Sequence, residues 1–179
     1  MFNFKVNDDV ELKILEIRHA EELFNLIDKN RQYLREWLPW IDGTISPEQS
    51  KSYIESQLKA FSENNGFYLG IFYKGTIVGC IGLHGIDWNN KKTSLGYWLR
   101  EGLQGHGIMT ASCKAVIGYL FKELQLNRVE IRAATSNRKS RAVPERLKFV
   151  SEGTIRQAEW LYDHYVDHVV YGMLKEDWM

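Results

Sequence analysis

Leu99-Arg100-Glu101-Gly102-Leu103-Gln104-Gly105-His106-Gly107-Ile108-Met109-Thr110 joins a strand-like run to a long helical one. The run before it, Lys92 to Leu99, reads as a strand. The run after it, Ile108 to Leu124, carries Ile108, Ala111, Ala115, Tyr119 and Leu120 at the spacing of a helix packed on a sheet. A helix N-terminus offers amide donors without internal partners and a partial positive charge, so it suits a phosphate. Glycines let the backbone come close and adopt positive φ. A Walker loop would end in Gly-Lys-Ser/Thr, but Gly107 is followed by Ile108, which argues against ATP or GTP. A dinucleotide fingerprint wants a third glycine where Thr110 stands and a place after the first strand, whereas this segment lies mid-chain. A plain strand-to-helix turn remains as the bland alternative.

Upstream of the glycine segment the chain reads as a meander. Phe67 to Tyr73 and Ile77 to His84 are apolar runs around Lys74-Gly75, a hairpin signal, and Lys92 to Leu99 adds a third strand. Before them, Ser46-Pro47-Glu48-Gln49 announces a helix with a hydroxyl cap, a first-turn proline and a capping-box glutamine, and Asn64-Asn65-Gly66 stops it. Val10 to Leu15 reads as a strand and His19 to Asn30 as a helix, followed by an aromatic connector with Tyr33, Trp37 and Trp40. Downstream, Arg128 to Ala134 alternates with period two, Ser140 to Leu147 reads as a short helix, and strands near Phe149–Ile155 and Tyr165–Leu174 end the chain. The expected architecture is one α+β domain over residues 1–179, with a mostly antiparallel central sheet flanked by helices.

Composition narrows the function classes. Lys+Arg and Asp+Glu both number 23, so no basic surplus argues for DNA or general nucleic-acid binding. No apolar run approaches the roughly 20 residues that span a bilayer, and the first residues lack a signal-peptide pattern. A cytoplasmic location is expected. Cys80 and Cys113 have no metal-ligand neighbours and read as buried, reduced thiols. No His/Cys/Asp/Glu cluster has metal spacing, so no metal is expected.

Gln104 to Met109 resembles the Gln-x-x-Gly-x-(Gly/Ala) pyrophosphate motif of the GNAT acetyltransferases, with Met109 in the last place. Gln104 to Thr110 looks like the variant of the Rim-type branch, the ribosomal-protein alanine/serine N-acetyltransferases. A second stretch agrees: Ser136-Asn137-Arg138-Lys139-Ser140 follows the Arg128 strand, and Arg146-Leu147-Lys148-Phe149-Val150-Ser151-Glu152-Gly153 is similar to the family's Arg-x-Gly-Phe-x-x-Glu-Gly. The resemblance covers nearly the whole chain. It implies the GNAT fold with a V-shaped splay, acetyl-CoA as cosubstrate, and a primary amine as acceptor. Lys148 stands where the family has glycine; a positive φ there would cost lysine about 1 kcal/mol. Pro144 removes a helical donor unless it lies in a first turn.

The resemblance also assigns roles. The amides of Gly105, His106, Gly107, Ile108, Met109 and Thr110 would hold the pyrophosphate, with Gln104 in the motif. The edge of Leu95 to Leu99 would pair with the pantetheine arm, a backbone amide near Trp98 or Leu99 would meet the oxyanion, and Asn137 would bond the arm. Many GNAT enzymes carry a thiolate-protonating Tyr seven residues after the motif Asn, but Pro144 occupies that place. The Rim-type branch has a serine three residues after it, which is Ser140 here; helix capping is its structural alternative. Glu159, beside Trp160, matches the family's carboxylate base, and partial desolvation would suit it to that task; an exposed strand-end carboxylate is the alternative. Tyr33, Trp37, Trp40 and Trp88 are candidates for lining the acceptor slot, each with a core role as its alternative. The expected acceptor is a protein N-terminal Ser or Ala amine, as on a ribosomal protein. Small amines such as polyamines, aminoglycosides or amino acids form the second reading, and a non-catalytic acyl-CoA-binding regulator the third. The aromatic-rich hairpin from Trp160 to Tyr171 is compatible with a homodimer, which the sequence alone does not establish.

Overall fold

A computed structural model describes residues 3–179. Its elements are β1 (Asn3–Lys5), β2 (Val10–Ile14), α1 (Ala20–Lys29), α2 (Arg31–Arg35), α3 (Pro47–Ser62), β3 (Tyr68–Tyr73), β4 (Thr76–Asp87), β5 (Lys92–Leu99), α4 (Ile108–Lys122), β6 (Arg128–Ala134), α5 (Arg138–Arg146), β7 (Val150–Leu161) and β8 (His164–Leu174). They build an eight-stranded sheet in the order β1-β2-β3-β4-β5-β6-β8-β7. Every neighbouring pair is antiparallel except β5–β6.

That one parallel pair opens the sheet. Its last rung is Leu95↔Ile131. Beyond it β5 stays on β4, with Cys80↔Trp98 and Gly79↔Leu99, while β6 stays on β8, with Ala133↔Val169 and Ala134↔His168. Gly96 to Leu99 therefore face a V-shaped gap, as the resemblance implied.

Alternation on the strands makes two cores. Leu95, Val129, Ile131 and Tyr171 pack with Cys113, Val116, Ile117 and Leu120 of α4 on one face. Leu15, Phe72, Ile77, Cys80 and Trp98 pack with Leu23, Ile27 and Ile54 of α1 and α3 on the other. Full burial of each such aliphatic side chain contributes about 1.5–3 kcal/mol. Both cysteines are buried and free, and no helix among the described residues is long and apolar enough to cross a membrane.

The α3 capping box forms as read: the Ser46 amide donates to Gln49 Oε1 at 2.7 Å. The ends of several elements differ from expectation. β1 and α2 were not anticipated, because each is only three to five residues long. β7 runs on to Leu161 rather than ending near Ile155. It is an exposed edge strand with register shifts at Ser151/Gly153 and Ile155/Glu159, so its side chains carry no period-two pattern. α5 starts at Arg138 because Asn137, not Ser140, is its N-cap; Asn137 Oδ1 accepts from the Ser140 amide at 3.2 Å.

Candidate functional site

The glycine segment folds by its own hydrogen bonds. Gln104 Nε2 donates to the Arg100 carbonyl at 2.8 Å, and its Oε1 accepts from the Gly102 amide at 3.0 Å. The side chain that sequence reading set beside the cofactor thus staples the turn. Gly105 and Gly107 sit at φ 83° and 72°, the left-handed region, and a Cβ on either would meet no atom within 4 Å. The glycines answer a conformational need and leave open space in front of the backbone. Gly107 is the N-cap of α4, and the first backbone bond of that helix runs from the Ala111 amide to the Gly107 carbonyl at 3.0 Å. The amides ahead of Ala111 therefore have no helical acceptor, and no acidic side chain stands in the first turn to compete for them.

A cavity of about 380 Å³ opens at this helix end. One wall is the free strand edge with Tyr97, Trp98 and Leu99; the floor is Gly105, Gly107, Ile108, Met109 and Thr110; the far wall is Asn137 and Ser140. Gln104 also reaches the lining, as do Tyr33 and Trp37 from the aromatic connector. Sequence reading missed three cations on the same lining, Arg138, Lys139 and Arg146 of α5. Their spacing on a short, mostly polar helix was the available signal. They add positive charge opposite the helix N-terminus, which suits a phosphorylated ligand. Apolar walls, free amides and cations together fit acetyl-CoA.

Ser140 holds its backbone amide on Asn137, while its hydroxyl stands beside the Tyr97 phenol rather than capping the helix. The capping alternative for this side chain is therefore not what the structure contains. Tyr97, unremarked in the sequence, donates its hydroxyl to the Ser140 carbonyl at 2.9 Å. Burial holds the Tyr97 phenol well above its ordinary pKa, so it stays a donor. Arg141 donates to the Tyr171 hydroxyl at 2.8 Å and to the Thr135 carbonyl at 2.8 Å, which ties α5 to β8 and to the end of β6.

Four residues singled out in the sequence stand off this lining: His106, Trp40, Trp88 and Glu159. His106 is exposed on the glycine turn beside the cavity. Trp40 packs edge-on against Trp98, with ring centres 6.1 Å apart. Trp88 lies just past the far end of β4 and gives its indole N–H to the Asn64 carbonyl at 2.7 Å, so it ties that end of the strand to the segment after α3. Glu159 sits on β7 opposite Val166, with its carboxylate 3.7 Å from His168 Nε2 and its side chain 33% exposed. His168 in turn pairs with Ala134, the last residue of the β6 wall. The hairpin tip reaches back across the fold: the Tyr162 hydroxyl donates to the Leu38 carbonyl, and the Arg35 guanidinium lies 3.7 Å over the Tyr162 ring.

An open parallel seam, a glycine-capped helix end and the N-terminus of α5 beside it form a site suited to the phosphates and extended arm of a nucleotide-linked cosubstrate. Residues 9–150 match the acetyltransferase (GNAT) domain. YdaF of Bacillus subtilis (strain 168), provisionally named a ribosomal N-acetyltransferase, is 40% identical over 179 residues, spanning 99% of this chain and 98% of its own. The ribosomal-protein-serine acetyltransferase of Escherichia coli (strain K12) is 30% identical over 170 residues, 95% of each chain. A solved RimL ribosomal L7/L12 alpha-N-protein acetyltransferase, in complex with coenzyme A, superposes with a TM-score of 0.94 at 27% identity, covering 98% of this chain and 99% of that one. The chain belongs to the GNAT acetyltransferase family and is an N-acetyltransferase.

Proposed function

We propose that this enzyme, acting as one unit over its whole length, moves an acetyl group from acetyl-CoA to the N-terminal amine of a protein, a Ser or Ala terminus of a ribosomal protein in the cytoplasm. The observation that carries the reading is the shared cavity, whose lining includes both the α4 N-terminus and Ser140. The names of the relatives favour a ribosomal-protein acceptor.

Acetyl-CoA supplies the activated acetyl group: the amine nitrogen bonds the acetyl carbon, the C–S bond breaks, and coenzyme A departs as a thiolate. In this reading the free amides from Gly105 to Thr110, with Arg138, Lys139 and Arg146, hold the phosphates. The Gly96–Leu99 edge and the Asn137 amide hold the arm, and a backbone amide near Trp98 or Leu99 stabilises the developing oxyanion. Ser140 Oγ passes a proton to the departing sulfur, a modest base since a thiol pKa is about 8.5, and takes one back from solvent. Glu159 receives the amine proton, through water where the carboxylate does not reach. An α-amine with a pKa of about 7.7–8.0 asks less of that base than a lysine at about 10.4. Tyr33 and Trp37 form an aromatic wall for the acceptor, with Trp40 packed behind it on Trp98.

The test is thiol release from acetyl-CoA over peptides beginning with Ser, Ala or Met, polyamines, aminoglycosides and free amino acids. Turnover confined to Ser or Ala peptides is expected. Preference for a small amine would replace the acceptor assignment. Ser140→Ala should lower kcat by about 10- to 100-fold, the low end of what a positioned acid supplies, with acetyl-CoA affinity little changed. Unaltered turnover in that variant removes Ser140 from the chemistry.

A further inference from the structure

α5 contains a proline where a helix ordinarily needs a donor. Pro144 is the seventh residue of Arg138–Arg146, past the first turn, and it is buried. The carbonyl four residues earlier belongs to Ser140. Proline has no N–H to give it, so this carbonyl loses its helical partner. A carbonyl left alone away from water is destabilising. The structure satisfies it from outside the helix, by the Tyr97 hydroxyl at 2.9 Å.

The donor's position matters. Tyr97 lies on β5 two residues past Leu95, the last residue to pair with β6. Ser140 lies on the helix that follows β6. The Tyr97–Ser140 bond therefore spans the gap just where the two strands cease to hold each other. The Tyr97 ring packs against the core around α4, which fixes the donor. Ser140 is then held by both ends of its backbone, its amide on Asn137 and its carbonyl on Tyr97, with Oγ beside the same phenol.

We propose that Tyr97 is a positioning residue for Ser140: the missing N–H of Pro144 frees the Ser140 carbonyl, and Tyr97 uses it to set the Ser140 hydroxyl against the β5 wall of the slot. The inference rests on the reading of Ser140 as proton donor. A catalytic hydroxyl held by its own backbone across the gap keeps its place when the slot fills. An ordinary helical bond to residue 144 would satisfy the carbonyl equally well but would tie Ser140 only to its own helix.

That difference supplies the test. Tyr97→Phe, Pro144→Ala, the double variant, Ser140→Ala and Ser140→Ala/Tyr97→Phe are compared for kcat, acetyl-CoA KM and Tm, using whichever peptide or amine the thiol-release panel finds turned over best. Tyr97→Phe should lower both Tm and kcat, the latter by about 10- to 100-fold, as expected of a misplaced catalytic group. Acetyl-CoA KM should shift by less than about threefold, the mark of an interaction that serves the chemical step. In the double variant the backbone amide regained at position 144 can satisfy the carbonyl within the helix, so Tm should recover while kcat stays low. In the Ser140→Ala background Tyr97→Phe should cost little further turnover, because both act through one hydroxyl. Recovery of kcat together with Tm in the double variant would make Tyr97 a scaffold residue and overturn the proposal. So would normal turnover in Tyr97→Phe alongside impaired Ser140→Ala, which would leave the proton-donor reading standing. Full turnover in Ser140→Ala would overturn that reading and this one with it.

Discussion

Replacing Lys148 by glycine should stabilise the protein. α5 ends in a Schellman arrangement: the Phe149 amide donates to the Pro144 carbonyl at 3.0 Å and the Lys148 amide to the Glu145 carbonyl at 3.2 Å. Lys148 is the residue that must turn left-handed, and it sits at φ 64°. An L-residue there costs about 1–2 kcal/mol through its Cβ. Glycine removes that cost but gains freedom in the unfolded chain, worth about 0.4–1 kcal/mol against it. Loss of a cation near the helix C-terminus subtracts about 0.3 kcal/mol more. Lys148 is half-buried at most and its charged end carries no bond in the fold, so few packing contacts are lost. The net gain expected is about 0.5 kcal/mol, or about 1–2 °C in Tm for a protein of this size. Calorimetry gives the Tm, and urea titration should show a higher midpoint at an unchanged slope. Lys148→Ala separates the causes, since it keeps the Cβ and drops the charge; it should not stabilise. A Lys148→Gly protein that melts at or below the parent temperature refutes the argument from φ.

Two further perturbations test other parts of the structure. Gly107→Glu puts a strained residue and a carboxylate at the α4 N-cap, so acetyl-CoA binding by calorimetry should be lost; retained affinity would move the phosphates elsewhere. Arg128 bonds the carboxylates of Glu130 and Glu152. Arg128 holds Glu152 below its ordinary value, and at Glu130 a burial effect in the opposite direction is outweighed by Arg128 and Arg132. Carboxyls with depressed folded pKa values stabilise the fold above their unfolded value of 4.5, and that stability is lost as pH falls through the folded values. Arg128→Gln should therefore lower Tm at pH 7 and narrow the difference from the parent below about pH 4; a constant difference across that range would contradict it.

Much of the fold was legible because its signals are local. The Ser46 box, the Lys74-Gly75 turn and the alternation of Arg128 to Ala134 each depend on neighbours in sequence. β7 was cut short in the reading because an exposed edge strand with bulges has no buried face to imprint a period. The glycine turn was legible as a strand-to-helix junction that leaves amides free, yet Gln104 proved to be its staple, since a side-chain amide serves its own backbone as readily as a ligand. Trp88 looked like a slot residue by type alone, and only the β4–β5 register takes it to the far end of the strand. The cations of α5 and the Tyr97 hydroxyl were missed for a common reason. Their work depends on which element they face, and that is decided by the parallel seam between β5 and β6.

The two oddities read in α5, Pro144 and Lys148, turn out to share one helix end. The Pro144 carbonyl accepts from Phe149, which closes the Schellman turn, while its absent amide leaves the Ser140 carbonyl to Tyr97. Lys148 then carries the positive φ that the turn needs. On the opposite side, the Tyr171 hydroxyl takes a hydrogen bond from Arg141 and donates one to Glu145 at 2.8 Å. A nine-residue helix interrupted by a buried proline is thus held between two phenols, one on β5 and one on β8. Helices this short are marginal by themselves, so tertiary bonds decide where α5 sits. Those bonds come from the strands on both sides of the V. A change in the width of the slot must therefore move or strain α5, and with it Ser140. Substitutions at Tyr97 or Tyr171 should accordingly disturb turnover more than their modest size suggests, whereas Lys148→Gly, which relaxes only the exit from the helix, should raise stability and leave kcat where it was.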